Sequence, residues 1–67
     1  MRYGIWITEQ REDDGEVIRE VCFNDIFCVP FFDTVENAEA YIYSKDMPIL
    51  RKPSGGVIYR LKVQEHT

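Results

Sequence analysis

The sequence has a single histidine, His66, only two cysteines and no glycine-rich phosphate loop, so several kinds of chemistry have few residues to carry them. General acid–base and nucleophilic catalysis need a positioned imidazole, hydroxyl or thiol, and no serine or cysteine lies near His66 in the sequence. Gly55-Gly56 lacks the lysine and following helix of a phosphate cradle. Cys22 and Cys28 are spaced too widely for the close ligand pair of a zinc site, and His66 is the one imidazole that could join them. The two thiols read as reduced structural cysteines, since free cysteine behaves as a small hydrophobe. No catalytic set, cofactor or metal is expected.

Long apolar runs are also missing. The longest, from Ile26 to Phe32, is interrupted by Pro30 and falls well short of the roughly 18 residues that cross a bilayer. Met1-Arg2-Tyr3-Gly4-Ile5-Trp6-Ile7-Thr8 has one base followed by alternation, the pattern of neither a signal nor a transit peptide. A cytoplasmic protein is predicted.

What is present is a folded composition, with 45% hydrophobic and 30% charged residues in a chain of 67, read as one compact domain over 1–67. A domain of this size buries about 60% of the surface its unfolded chain exposes, and its core supplies no more than about 3–5 kcal/mol of net stability.

The net charge of −4 is unevenly spread. Residues 9–46 hold eleven of the twelve acids against Arg11, Arg19 and Lys45, for a local net of −8. Residues 1–8 and 47–67 carry Arg2, Arg51, Lys52, Arg60 and Lys62 against Glu65, for +4. Broad attachment to nucleic acid or anionic membrane is disfavoured by the mean, and an acidic face toward a basic partner is favoured by the distribution.

Tyr3, Ile5 and Ile7 alternate with Gly4, Trp6 and Thr8, which predicts a strand. The polar run ending in Asp14-Gly15 predicts a tight turn into a second strand over Glu16 to Phe23. Asn24-Asp25 offers a second turn, and Ile26-Phe27-Cys28-Val29 reads as a third strand limited by Pro30. Val35, Ala38 and Ile42, with Tyr41 beside them, switch to helical spacing. Asp33 or Thr34 can cap this helix, Asp33 with Glu36 fits a capping box, and the helix should end near Ser44 to Met47 before Pro48. Ile49-Leu50 reads as a brief strand or a core plug. Pro53-Ser54-Gly55-Gly56 predicts a turn, and Val57 to Gln64 a last strand with a frayed Glu65-His66-Thr67. The fold class is α+β, a small single-layer antiparallel sheet in β-β-β-α-β order with one helix packed on one face.

A turn centred on Asp14-Gly15 sets Ile7 opposite Cys22, and one centred on Asn24-Asp25 sets Cys22 opposite Phe27 and Val21 opposite Cys28. In that register Tyr3, Ile5, Ile7, Ile18, Cys22, Phe27, Val29 and Phe31 receive the helix. The other face shows Trp6, Val17, Val21, Phe23, Ile26 and Cys28, an apolar surface awaiting a partner or a second copy unless another register or the Ile49-Leu50 segment covers it.

Three readings of function follow. The first is a non-enzymatic acidic binding protein in which Trp6, Phe23 and Tyr41 anchor, while Glu12, Asp13, Asp14, Glu36 and Glu39 steer toward a basic surface of a larger protein or ribonucleoprotein complex. The second is a structural or regulatory homodimer joined through Trp6, Val21 and Phe23. The third is a small nucleic-acid-binding module built on Arg51, Lys52, Arg60 and Lys62, weakened because Tyr59 shares its parity with the core residues Leu61 and Val63. The profile of a small acidic α+β domain without a catalytic set resembles many phage-encoded or mobile-element proteins, including inhibitors of host CRISPR and restriction systems. That resemblance is one of size and charge, covers no motif, and implies action in the host cytoplasm.

Overall fold

The computed structural model describes residues 1–48 and 55–66. The Ile49-Leu50 segment, Arg51, Lys52 and the Pro53-Ser54 half of the last turn lie outside the described residues, as does Thr67.

The alternating N-terminal segment forms β1 (Arg2–Arg11), the middle strand of an antiparallel sheet. β2 (Val17–Cys22) and β3 (Val57–His66) flank it in the order β2-β1-β3. β3 runs two residues past its expected end, because Tyr3 pairs with Glu65 and Arg2 with His66. The class expected from the sequence, α+β with a small antiparallel sheet and helix on one face, is the one observed.

The first hairpin differs in register. Its loop spans four residues: the Arg11 amide donates to the Glu16 carbonyl at 2.8 Å, and the Gly15 amide donates to the Arg11 carbonyl at 2.9 Å. Asp14 Oδ1 accepts the Glu16 amide at 3.0 Å, and Gly15 takes φ +72°, a conformation open to glycine without a Cβ penalty. Ile7 therefore opposes Val21, and Trp6 opposes Cys22, with a bulge between Glu9 and Gln10. Slipping one residue turns the side chains from Arg19 to Cys22 to the other face, while the bulge leaves Val17 on the face expected of it, opposite Gln10. Val21 joins the core side, Cys22 goes to the back with Trp6, and Ile18, expected inside, is 52% exposed.

The expected third strand does not form. The chain coils directly out of β2 into a helical turn, α1 (Phe23–Ile26), closed by the Phe27 amide donating to the Phe23 carbonyl at 3.0 Å. Cys28 follows in the left-handed region at φ +55°, and the Val29 amide bonds the Asn24 carbonyl at 3.0 Å, the six-to-one bond of a Schellman ending. A four-residue apolar run is compatible with either a strand or a helical turn, and burial of Phe23 and Asn24 selects the turn.

Phe32 then bridges back to Tyr3, each amide donating to the other's carbonyl at 2.8 and 2.9 Å. α2 (Val35–Ile42) follows, capped by Thr34, whose Oγ1 accepts the Asn37 amide at 3.1 Å. The element order is thus β-β-α-α-β. The core lies between the helices and one sheet face, with Ile5, Ile7, Phe23 and Ala38 buried and Val21, Tyr41, Leu61 and Val63 around them. Phe23 is its hub, with its ring centre 4.7 Å from that of Phe27 and 6.0 Å from that of Tyr41.

No helix among the described residues is long and apolar enough to cross a membrane.

Candidate functional site

Strand parity sorts the sheet's side chains into two unlike faces. Odd positions of β1 look toward the helices, and with them go Val21, Tyr59, Leu61 and Val63. Even positions look away, where Trp6 stands between Cys22 and Lys62, and Thr8 between Glu20 and Arg60. The back of the sheet therefore sets one indole among polar and cationic side chains, and it keeps Val17 from the apolar surface expected from the sequence, beside Gln10 and Ile58. Val21 and Phe23 are not on it.

The residues expected to bind a partner divide into three places. Phe23 is 0% exposed and belongs to the core, so it cannot touch a partner in the folded protein. The anchor role assigned to it, and the self-interface built from Trp6, Val21 and Phe23, are both corrected by this burial and by the hairpin register. Tyr41 is half-buried against Phe23 and Phe32, with its hydroxyl donating to the Asp46 carbonyl at 3.0 Å. Trp6 is half-buried on the opposite face.

Asp13 and Asp14 sit at the hairpin tip, where they and Glu16 surround Arg11 at 3.7, 3.9 and 3.5 Å. Glu12 is exposed beside them, and its amide donates to the Gly56 carbonyl at 2.7 Å, tying the tip to the turn before β3. Glu9 binds Arg19 at 2.6 Å on the helix side, and Glu20 binds Lys62 at 3.2 Å on the back. Six acids of residues 9–22 thus share three bases, and Arg11 alone faces Asp13, Asp14 and Glu16, so the hairpin tip stays net acidic; each exposed pair contributes at most about 1 kcal/mol.

The helical layer is different. Asp25, Asp33, Glu36 and Glu39 are exposed and enter no ion pair among the described residues. Glu36 and Glu39 lie on α2, three residues apart and so on neighbouring turns of one side. The acidic surface that the sequence implied over 9–46 therefore falls in two places, the hairpin tip around Arg11 and this layer.

Of the apolar surface expected from the sequence, Val17 and Ile26 do stay exposed, and Ile18 and Phe27, expected inside, join them. Val17 and Ile18 open β2, with Val17 toward the back, and Ile26 and Phe27 close α1 on the helix side. Ile26 and Phe27 wall a cleft of about 160 Å³ that is floored by Ile7, Val21 and Tyr59 and rimmed by the Glu9–Arg19 pair. A wider hollow beside the hairpin tip is lined by Arg11, Glu12, Asp13, Ile18 and Val57. Neither holds a histidine or a cysteine.

Cys22 is buried as expected of a structural thiol, whereas Cys28 is exposed, because it occupies the left-handed position that ends α1. Both are free. Among the described residues no group of three or more His, Cys, Asp or Glu side chains is arranged to hold a metal ion. His66 stacks on Phe31, ring centres 4.3 Å apart and planes within 3°, with the Arg2 guanidinium 5.3 Å from the Phe31 ring centre.

Compared with protein families, curated proteins and solved structures, the chain matches none.

Proposed function

We propose that the protein is a non-enzymatic binding module whose acidic helical layer docks on a basic surface of a larger assembly that handles nucleic acid. One observation carries the reading. Asp25, Asp33, Glu36 and Glu39 face solvent with no partner base among the described residues, whereas the acids of the sheet and hairpin share Arg11, Arg19 and Lys62. Unmatched charge of one sign steers encounter with a surface of the other sign, and it suits a groove that otherwise holds phosphates. The size and charge profile supports a finer form of the reading, an inhibitor encoded by a phage or mobile element and acting in the host cytoplasm on a CRISPR- or restriction-type complex.

The test compares capture from a bacterial lysate by immobilised wild type and by the Glu36→Lys, Glu39→Lys double variant. Wild type should retain a nucleic-acid-handling complex that salt releases, since the screening length falls to about 8 Å at physiological ionic strength. The double variant should retain little of it. Equal capture by both proteins, or no such complex on either, overturns the reading.

The open edge of β2 with Ile26 and Phe27 beside it favours a second reading, a homodimer that buries these two side chains. Light scattering decides it: a dimer that Phe27→Glu dissociates supports this interface, and a monomer at about millimolar concentration, where even weak contacts associate, removes it.

A further inference from the structure

The face of the sheet turned away from the helices combines two features that the sequence kept apart, cations and flat rings. Cross-strand pairing of Arg2 with His66, Trp6 with Lys62 and Thr8 with Arg60 sets these side chains on one surface. The acids of the neighbouring positions go the other way, because Glu65 pairs with Tyr3 and Glu9 with Tyr59 on the helix side. Glu20 is the one acid that register places on the back among the described residues, and its carboxylate is already held by Lys62 and by the Thr8 hydroxyl, each at 3.2 Å.

Rings and charges alternate along this surface. At one end Arg2, Phe31 and His66 form a layered stack. Trp6 lies at the middle of the central strand, followed by Lys62 and Arg60. From His66 to Arg60 the strand covers about 20 Å at the rise of a β-strand. Tyr59 points away from Arg60, as its parity requires, and other rings, Trp6 from β1 and Phe31 from the segment after α1, lie on the face where Arg60 stands.

We propose that this face binds single-stranded nucleic acid, with bases stacking on Trp6 and extending the Phe31–His66 stack while phosphates meet Arg2 and Arg60 and draw Lys62 from its pair with Glu20. Bases in a duplex are already stacked on each other, whereas an open strand offers its ring faces to the half-buried Trp6, Phe31 and His66. An acidic protein segment would use the cations and leave the rings idle. The inference does not rest on the acidic-layer reading, because the two surfaces lie on opposite sides of the sheet.

Trp6 is the only tryptophan, so its fluorescence reports on the site directly. The experiment titrates the protein with a ten-residue oligothymidylate at low salt, following Trp6 emission and the anisotropy of a labelled strand. The expected result is quenching of Trp6 together with a rise in anisotropy. Log affinity should fall against log salt with a slope of about −2, the value for three phosphate contacts on a single strand. Arg60→Gln with Lys62→Gln changes two exposed positions and should leave the circular dichroism intact. It should weaken binding at least about tenfold at low salt and bring the slope to about −0.7, as one remaining contact requires. No anisotropy change at low salt overturns the proposal. So does binding without Trp6 quenching, an unchanged slope in the double variant, or equal affinity for an oligoglutamate of the same length. Strand binding is scored on the Arg60 and Lys62 variant and partner capture on the Glu36 and Glu39 variant, so either reading can fail alone.

Discussion

The side chain of Asn24 stands in for the strand residue that β2 no longer supplies to Ile5. Its Oδ1 accepts the buried Ile5 amide at 2.8 Å, while its amide group donates to the carbonyls of Val29 at 3.2 Å and Pro30 at 3.0 Å. β2 ends at Cys22, opposite Trp6, so without Asn24 the Ile5 N–H would be left unpaired inside the protein.

Asn24→Ala should therefore lower stability by about 2–3 kcal/mol, the cost of leaving buried polar groups unsatisfied. In a domain whose total is only about 3–5 kcal/mol, that is most of the margin. Urea unfolding followed by circular dichroism should show the midpoint moving sharply down, and a shift of only a few tenths of a kcal/mol would show that water replaces the side chain.

Phe23→Ala should unfold the protein instead of merely weakening a contact with a partner. Removing a fully buried phenylalanine costs about 3–5 kcal/mol, comparable to the whole stability. Far-ultraviolet circular dichroism at room temperature gives the answer. A folded Phe23→Ala variant that lost partner capture would restore Phe23 as an anchor.

Gly4 lies beneath the ring of Phe31. A Cβ there would come within 3.0 Å of Phe31 Cε1 and 3.3 Å of Asn24 Oδ1. Gly4→Ala should cost about 1–3 kcal/mol through overpacking and should push Phe31 off His66. Proton NMR would register both effects, as a lower melting temperature and as loss of the ring-current shift on the His66 imidazole protons.

Cys28→Gly should raise stability by up to about 1 kcal/mol. The residue occupies the left-handed position after α1, where a Cβ costs about 1–2 kcal/mol and glycine is the common choice. The larger entropy of glycine in the unfolded chain offsets part of the gain. Thermal unfolding checks the sign.

The two thiols should react at different rates with an aromatic disulfide reagent. Cys28 is exposed and should be modified within the native state, whereas Cys22 is buried and should react only as the protein opens. One fast equivalent in buffer and two in urea is the expected count.

Part of the candidate site was legible before the fold was known. Helical spacing around Val35, Ala38 and Ile42 turns Glu36 and Glu39 outward, and the parity of Trp6 against Ile5 and Ile7 puts it on the face away from the core. The company Trp6 keeps was not legible. Phe31 and His66 lie far apart in sequence, and they meet because β3 pairs with β1 through its last residue while the chain after α1 returns along the other side of β1.

By itself the sequence determined the α+β class, the first and last strands and the helix, because each is written in a local period, and it narrowed the cap to Asp33 or Thr34, of which the fold uses Thr34. Tertiary structure alone decided the hairpin register, the conversion of Ile26 from strand to helical turn and the burial of Phe23. Those choices depend on partners remote in the chain, such as the Ile5 amide for Asn24, and a single-residue slip in β2 inverts which side chains a partner can reach.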